Sequence, residues 1–300
     1  MKKLFFEANY GIALLMGTVV ILSSCSEEVM NPENQKVYAP VSVQVSGFSV
    51  SMSDFPSTRA VDPSSYEGVG AITLAFYDSN GGEAYKVTQF RSENAATFEQ
   101  FSCSLPVGSY TLVAVGYGYF SGDVFVLTSP TEAQYTSALP RETFCATQSV
   151  SITDATPLNL SITLDRINTK LTVNSTDRIP VGATKVRTTY SAACKGFNPT
   201  TGLATNTNGF SVVNTIRQIN DNQAMVANFA FLATDIQTMN ITLEVLDASD
   251  NVLCTKVVSD VPFKRNRVTV LEGRLFTPSS ASSASFTLNT DWLDEYNVTF

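Results

Sequence analysis

The chain of 300 residues contains no histidine, and this absence removes several classes of active site. Ser-His and Cys-His nucleophilic centres, His-ligated zinc and the facial triad of non-haem iron all need imidazole. Hydrolysis by two carboxylates does not, but the acidic residues stand mostly in turn sequences such as 78–82 and 247–251. No Cys-x-x-Cys spacing supports a metal site. We therefore expect no enzyme activity, no cofactor and no bound metal.

Charged residues are scarce as well, at 15% of the chain, and the balance is acidic, with 27 Asp and Glu against 19 Lys and Arg. A nucleic-acid partner is disfavoured, because phosphate binding requires clustered basic side chains. Ser, Thr and Asn are abundant, and these residues favour strands and turns over helices. The composition therefore predicts an all-β protein.

The apolar run near the start of the chain, residues 11–22, is too short to span a bilayer, which needs roughly 20 residues. Lys2 and Lys3 precede it, and two small residues and Cys25 follow it, which is the pattern of a secretory signal. The Leu-Ser-Ser-Cys ending resembles a bacterial lipobox, which implies that Cys25 receives acyl chains such as palmitate and that residues 1–24 are removed. An ordinary signal peptide whose cysteine is coincidental is the alternative.

The predicted lipid also predicts where in the cell the protein is located. Because each buried methylene contributes about 0.8 kcal/mol, two or three acyl chains hold a protein on a membrane nearly permanently. The acidic run after Cys25, Ser-Glu-Glu, resembles the signal that sends lipoproteins of Bacteroidetes to the outer face of the outer membrane. We therefore expect a surface-exposed outer-membrane lipoprotein in which the polar residues 25–36 form a tether between lipid and fold.

Alternating apolar and polar residues predict strands with one buried face. Val41, Val43 and Val45 alternate with polar residues, and the apolar parity changes after Gly47, which predicts a β-bulge. Short strands with turn sequences between them recur along the chain, a pattern typical of β-sandwiches. Residues 53–67, polar and with two prolines, are expected to form an exposed loop. A short helical turn is predicted over residues 131–138.

The length suits two domains, and we place their boundary near residue 164, which gives domains of residues 37–164 and 165–300. Four cysteines follow Cys25, at positions 103, 145, 194 and 254. An exported protein can form disulfides, and pairs 103–145 and 194–254 would each stay within one half of the chain. The alternation around Cys103 instead favours free cysteines in the core.

The end of the chain is a second informative region. Residues 278–284 are rich in serine and alanine and predict a flexible linker. The linker leads into residues 286–300, an amphipathic segment that could close its own sheet or that of another molecule. Its candidate donor residues are Phe286, Leu288, Trp292, Tyr296, Val298 and Phe300.

Several motifs resemble, in their order along the chain, those of the fimbrillins, the fimbrial subunits of Bacteroidetes. They are the lipobox at Cys25, the strand over 41–50, the Thr58-Arg59-Ala60 loop, LPVGSY at 105–110, Leu164-Asp165-Arg166, and KRNRVT at 264–269. Each motif is short, and their order carries the likeness. Together they span most of the chain that follows the signal.

The resemblance implies two tandem transthyretin-like β-sandwich domains after a lipoprotein signal peptide. It also implies that a trypsin-like protease cuts between Arg59 and Ala60 and frees a first strand within residues 37–59. A strand of another subunit, similar to residues 286–300, would fill the groove by β-augmentation. The implied partners are other fimbrial subunits, outer-membrane lipid through Cys25, and a host or bacterial surface receptor.

Two alternatives remain open. A fimbrial anchor would keep its lipid, remain uncut and stand at the base of a fibre. A surface lipoprotein that binds glycans for an uptake system would also be lipidated and all-β, but sugar platforms need exposed flat aromatic rings. The chain has one tryptophan, Trp292, and an aromatic run at 117–120.

Overall fold

The computed structural model describes residues 36–51, 58–61, 66–136, 139–218, 223–277 and 286–289. In these ranges every regular element is a strand, so the predicted all-β class is confirmed. The first half of the chain contains β1 Tyr38–Ser51, β2 Thr58–Val61, β3 Ala71–Asp78, β4 Glu83–Phe90, β5 Gln100–Pro106, β6 Gly108–Tyr117, β7 Phe125–Ser129, β8 Glu132–Tyr135, β9 Thr143–Ile152 and β10 Leu158–Arg166.

The second half contains β11 Thr169–Ser175, β12 Lys185–Tyr190, β13 Gly196–Asn198, β14 Leu203–Ala204, β15 Phe210–Thr215, β16 Arg217–Gln218, β17 Ala224–Ala230, β18 Ile236–Leu246, β19 Val252–Lys264, β20 Val268–Gly273 and β21 Phe286–Asn289. The described ranges contain no helix that is long and apolar enough to cross a membrane.

One eight-stranded sheet makes up most of the first half, in the order β2-β1-β10-β9-β6-β3-β4, with β5 also paired to β1. β9 and β10 pair only where Asp165 and Arg166 lie opposite Cys145 and Phe144. Beyond that corner the two strands form no ladder, so the sheet divides into two layers around a core. The predicted bulge is confirmed, since the register of β1 against β10 shifts between Val45 and Gly47.

The second half repeats this plan with two separate sheets, β16-β17-β11-β20-β21 and β15-β12-β18-β19. β11 pairs in parallel with β20 and antiparallel with β17, as β1 does with β10 and β5. The order β15-β12-β18-β19 matches β4-β3-β6-β9 of the first half. Seven strands of each half therefore correspond one to one.

Each half has its own hydrophobic core. The first core runs from Ala39 to Leu164 and the second from Leu171 to Phe276. A third cluster joins them, in which Tyr135 of β8 packs near Phe231, with ring centroids 6.3 Å apart. Residues 36–300 form one compact unit, so the division into two domains at residue 164 stays a prediction.

Two local predictions are wrong. Residues 132–135 form β8 rather than a helical turn, because Ala133 and Tyr135 are buried while Glu132 and Gln134 are exposed, a period of two. The predicted loop over 53–67 contains β2, which pairs with the end of β1. Backbone pairing with a neighbouring strand gives order to a sequence whose composition alone indicates a loop.

Candidate functional site

The first strand, β1, is held along both of its edges. It pairs in parallel with β10 over residues 41–49 and antiparallel with β5 over residues 38–44. The side chains of Val41, Val43 and Val45 point into the first core and are buried. β1 is therefore an inner strand, and its removal would leave a groove with unpaired backbone groups on both walls.

Phe48 is the largest side chain that β1 places in the core, and it occupies an aromatic socket. Its ring lies 5.0 Å from that of Phe144 and 6.0 Å from that of Tyr66, measured between centroids. Gly116 forms the floor, where a Cβ atom would stand 2.8 Å from Cε1 of Phe48. Only glycine leaves room for the ring, so the socket fits an aromatic side chain closely.

The predicted cleavage residues lie in β2, beside β1. Arg59 is paired in register with Val50, and Ala60 with Ser49. The peptide bond that the resemblance marks for cleavage thus belongs to a short edge strand. A protease that binds its substrate as an extended strand would be able to cut this bond only after β2 had separated from β1.

A cluster of four polar residues lies at the boundary between the halves. We call Tyr66, Glu142, Arg166 and Asn266 the clamp. Arg166 donates from Nε to Glu142 at 2.7 Å, from Nη1 to Asn266 at 3.0 Å and from Nη2 to the Tyr66 hydroxyl at 3.1 Å. The Tyr66 hydroxyl donates to Glu142 at 2.6 Å. The Arg166 side chain is only 6% exposed, so the ion pair lies in a low-dielectric setting. Tyr66, the residue before β9, the end of β10 and the β19–β20 turn are thereby tied together.

Arg267 adds positive charge next to this clamp. Burial and the neighbouring charge of Arg166 lower the pKa of Arg267 to about 10. A cleft of about 680 Å³ opens here, and Lys264 and Arg265 also line it. Arg265 is paired with Asp235, with Nε and Oδ1 2.9 Å apart.

The end of the chain reaches back to the second half. In β21, Phe286 lies opposite Gly273 and Leu288 opposite Leu271 of β20, antiparallel. The four other candidate donor residues, Trp292, Tyr296, Val298 and Phe300, lie outside the described residues. The lipidation residue Cys25 also lies outside them.

A carboxylate fixes the point from which this tail departs. Asp177 accepts hydrogen bonds from the backbone N–H groups of Leu275, Phe276 and Thr277 at 2.8–3.0 Å and from the Thr277 hydroxyl at 2.8 Å. On the other side, Lys256 donates from Nζ to the Thr277 carbonyl at 2.6 Å. The chain is therefore tightly held as far as residue 277.

Burial makes the thiols of Cys103 and Cys145 poor nucleophiles. The structure shows Cys103, Cys145, Cys194 and Cys254 as free thiols, as the favoured interpretation predicts. Burial raises the pKa of Cys103 to about 11 and that of Cys145 well above its usual range. Within the described ranges, no three His, Cys, Asp or Glu side chains are grouped so that they could hold a metal ion.

The aromatic run at 117–120 does not form a broad platform. Tyr117 is buried in β6, and Tyr119 packs on Phe90 with centroids 4.6 Å apart. Phe120 is 62% exposed, and the Arg141 guanidinium lies 4.5 Å from its ring centroid. Arg141 is in turn paired with Asp123 at 2.8 Å. One exposed ring offers little area for a sugar.

The sequence analysis missed the clamp. Arg166 and Asn266 stand inside motifs that carried the resemblance, but nothing in their spacing indicates that they meet. The two residues are 100 positions apart, and Tyr66 is 76 positions from Glu142. An arginine at the end of an apolar strand was the only available signal.

Comparison with solved structures shows the fold. A candidate adhesin from Bacteroides ovatus has a TM-score of 0.52 at 9% identity, over 89% of this chain and 98% of that one. A second candidate adhesin from the same species has a TM-score of 0.50 at 12% identity, over 82% and 88%. The fimbrial anchor protein Mfa2 from Porphyromonas gingivalis has a TM-score of 0.50 at 11% identity, over 85% and 98%.

These structures share the β-sandwich fold that the resemblance to fimbrillins predicts. No curated protein matches the chain in sequence. A family model does match residues 119–299, more than half of the chain. The chain therefore belongs to the family described as a family of unknown function, DUF6562.

Proposed function

We propose that this protein is a structural subunit of cell-surface fimbriae that is exported as a lipoprotein, assembles by strand exchange and serves adhesion. The observation that carries the proposal is the placement of β1 as an inner strand directly followed by β2 with Arg59 and Ala60. The shared fold with a fimbrial anchor protein and with candidate adhesins adds support.

The burial of the apolar side chains of β1 gives a free-energy reason for strand exchange. Cleavage after Arg59 would leave β1 attached only by non-covalent contacts. Its departure would uncover the apolar surface against which Val41, Val43, Val45 and Phe48 pack. Each such side chain contributes about 1.5–3 kcal/mol when fully buried. An empty groove is therefore costly, and an incoming strand with alternating apolar residues would recover much of that free energy.

The donor in this scheme is the terminal segment 286–300 of another subunit. Its apolar residues alternate as those of β1 do, and a serine-rich linker separates it from the anchored residue Thr277. In the part of the segment that the structure describes, β21 pairs with β20 at the end of a sheet, a position from which a strand can leave without opening the rest of the sheet. The segment can therefore leave β20 and pair with a strand of another subunit.

Intact-mass spectrometry of the protein released from native cells tests the processing step. A species that begins at Ala60 supports a polymerising shaft or tip subunit. We expect an Arg59→Ala variant to retain β1 and to be absent from fibres, with Lys86→Ala, at an exposed position of β4, as the matched control that still assembles. If Arg59→Ala assembled as well as the parent, cleavage at this site would be ruled out.

Deletion of residues 286–300 tests the donor. The truncated subunit should stay folded and be unable to extend fibres, because β21, the part of this segment that the structure describes, lies at the edge of its sheet. Circular dichroism reports the fold and electron microscopy of cells reports the fibres. Unfolding of the truncated chain would overturn the donor role, because the segment would then be part of the core.

A fimbrial anchor is the second candidate. Pairing of β2 with β1 supports it, because the Arg59–Ala60 bond is then held in a sheet rather than in an open loop. A mass that corresponds to acylated Cys25 followed by the intact chain would favour the anchor over the shaft or tip subunit. The glycan-binding alternative has less support, since Phe120 is the one well-exposed ring of the 117–120 run.

A further inference from the structure

The two halves differ at the open side of their sandwiches. In the second half, β21 covers the edge of β20 that faces away from β11. Side chains of β19 hold the chain that leads to this strand, since the Cys254 thiol donates to the Leu275 carbonyl at 3.3 Å and Lys256 donates from Nζ to that of Thr277. The chain's own tail thus covers the edge of β20 and is fastened to β19 through side chains.

The corresponding side of the first half lacks such a cover among the described residues. β10 pairs with β1 along one edge, but along the other it pairs only through Asp165 and Arg166. Residues 158–164 of β10 and 146–152 of β9 therefore face each other without a ladder. We call this opening the β9–β10 seam.

The strands that line the seam lack the residue types that usually protect a free strand edge. Residues 158–164 read LNLSITL and residues 146–152 read ATQSVSI, without a charge or a proline. Soluble proteins usually protect free edges with lysine, proline or other charges. β4, at the end of the same sheet, carries Glu83 and Lys86.

Apolar side chains are also incompletely covered at the seam. Leu164 is fully buried, but Leu158 and Leu160 at the start of β10 and Ala146 of β9 are only partly buried against the first core. In the second half, by contrast, Leu271 of β20 is fully buried. An added strand beside β10 would bury the leucines and satisfy the edge at once.

We propose that the β9–β10 seam binds an extended strand from a second copy of this chain, and that this strand is the segment that begins at Phe286. The segment already completes the corresponding edge of the second half, antiparallel to β20, so its backbone and side-chain pattern suit such a position. Within one chain the segment pairs with β20, so the strand for β10 comes from another molecule, in which the segment leaves its own β20. This acceptor needs no cleavage at Arg59 and retains β1.

Hydrogen exchange on the full chain with a synthetic peptide of residues 286–300 tests the inference. We expect the amides of 158–164 to exchange at least about tenfold more slowly with saturating peptide, because new backbone hydrogen bonds remove them from solvent. A peptide of the same composition in scrambled order should have no effect. Protection confined to 268–273 would mean that the peptide replaces the native tail, and it would overturn the proposal, as would the absence of protection.

A matched pair of variants locates the contact. Leu160→Lys places a charge on the face that the incoming strand would cover, and we expect peptide affinity to fall about tenfold or more. Asn159→Lys adds the same charge to the exposed face of the same strand and should change affinity less than about twofold. If Leu160→Lys lowers the melting temperature too far, Leu158→Lys at the open end of the seam replaces it. Equal affinities for the two lysine variants would contradict the proposal.

The same measurements on an Arg59→Ala chain separate this acceptor from the proposed processing. Peptide protection at 158–164 in that variant would support the seam even if no cleaved species existed on cells. If the peptide protected nothing in Arg59→Ala, and in the parent chain protected residues 100–106 of β5 only after cleavage, binding would be assigned to the groove left by β1 and the seam would be overturned as an acceptor.

Discussion

The first and second halves of the chain share the same arrangement of seven strands. They differ at the last two of these strands, which are β9 and β10 in the first half and β19 and β20 in the second. In the first half β9 and β10 meet through two residue pairs, and one sheet folds over the core. In the second half the two sheets stay separate, and the chain's tail covers the open side. The difference teaches that one fold can bring two strands of its facing layers together at a sheet corner, or can leave them apart and place an added strand beside one of them.

The largest expected effects are losses of stability, one in each half of the chain. Phe48→Ala should destabilise the first half by about 3–5 kcal/mol, since it empties the aromatic socket. Phe263→Ala, at a buried position of β19, should act on the second half by a similar amount. Urea unfolding followed by hydrogen exchange would show which strands open first.

Phe120→Ala is the control for both substitutions, since its exposed ring should change stability by less than about 0.5 kcal/mol. Identical exchange patterns for Phe48→Ala and Phe263→Ala would contradict separate halves. They would mean that the shared cluster around Tyr135 and Phe231 makes the whole chain unfold as one unit.

The clamp at the boundary is the next test of how the halves are joined. Arg166→Met should cost about 3–5 kcal/mol, because it leaves the buried carboxylate of Glu142 without its partner. Thermal unfolding measures the loss. The double variant Arg166→Met with Glu142→Leu should recover part of it, because no charge is then buried alone. A double variant less stable than Arg166→Met would show that the pair is not the main role of Glu142.

A smaller effect concerns the second half alone. Asp177→Asn should cost about 1–3 kcal/mol, because the amide cannot accept all the hydrogen bonds that the carboxylate takes from residues 275–277. Proteolysis should then reach the tail earlier, while strands β1–β10 keep their exchange protection. Chemical denaturation gives the free energy, and loss of protection in β1 would show that the anchor acts on both halves.

The smallest effect is expected from two exposed turns, one in each half. Hydrogen bonds from Thr156 hold the pKa of Asp154 below the ordinary aspartate value, and bonds from Asn251 do the same for Asp247. The native state therefore binds fewer protons than the unfolded chain in acid, and stability should fall as the pH drops from about 5 toward 3. Asp154→Asn and Asp247→Asn should each flatten this slope in melting experiments, and an unchanged slope would contradict the assignment.

Much of the fold could be predicted because it depends on local patterns. Alternation predicted the buried face of β1, and the parity change at Gly47 predicted its bulge. The turn sequence at 78–82 is a turn in the structure, where it joins β3 to β4 and Asp78 accepts from the N–H groups of Asn80 and Gly82. These signals lie within a few residues of the feature that they specify.

Features that depend on distant residues could not be predicted. β2 is a strand because β1 offers it a backbone edge, and its own sequence indicates a loop. The clamp joins Arg166 to Asn266 across 100 positions, which no periodicity records. The repeat of the seven-strand plan, and with it the uncovered seam, appears only once the pairing of β1 with β10 and of β11 with β20 is known.

The parallel pairing of β1 with β10 also constrains the order in which the chain can fold. Ser46 of β1 hydrogen-bonds to the carbonyl of Ile162, 116 positions later. Contacts of such separation form slowly, because a long loop must close before they stabilise anything. β1 therefore stays unpaired with β10 until the entire first half has been made, so the strand proposed for removal gains its full set of partners only when the last strand of that half is present.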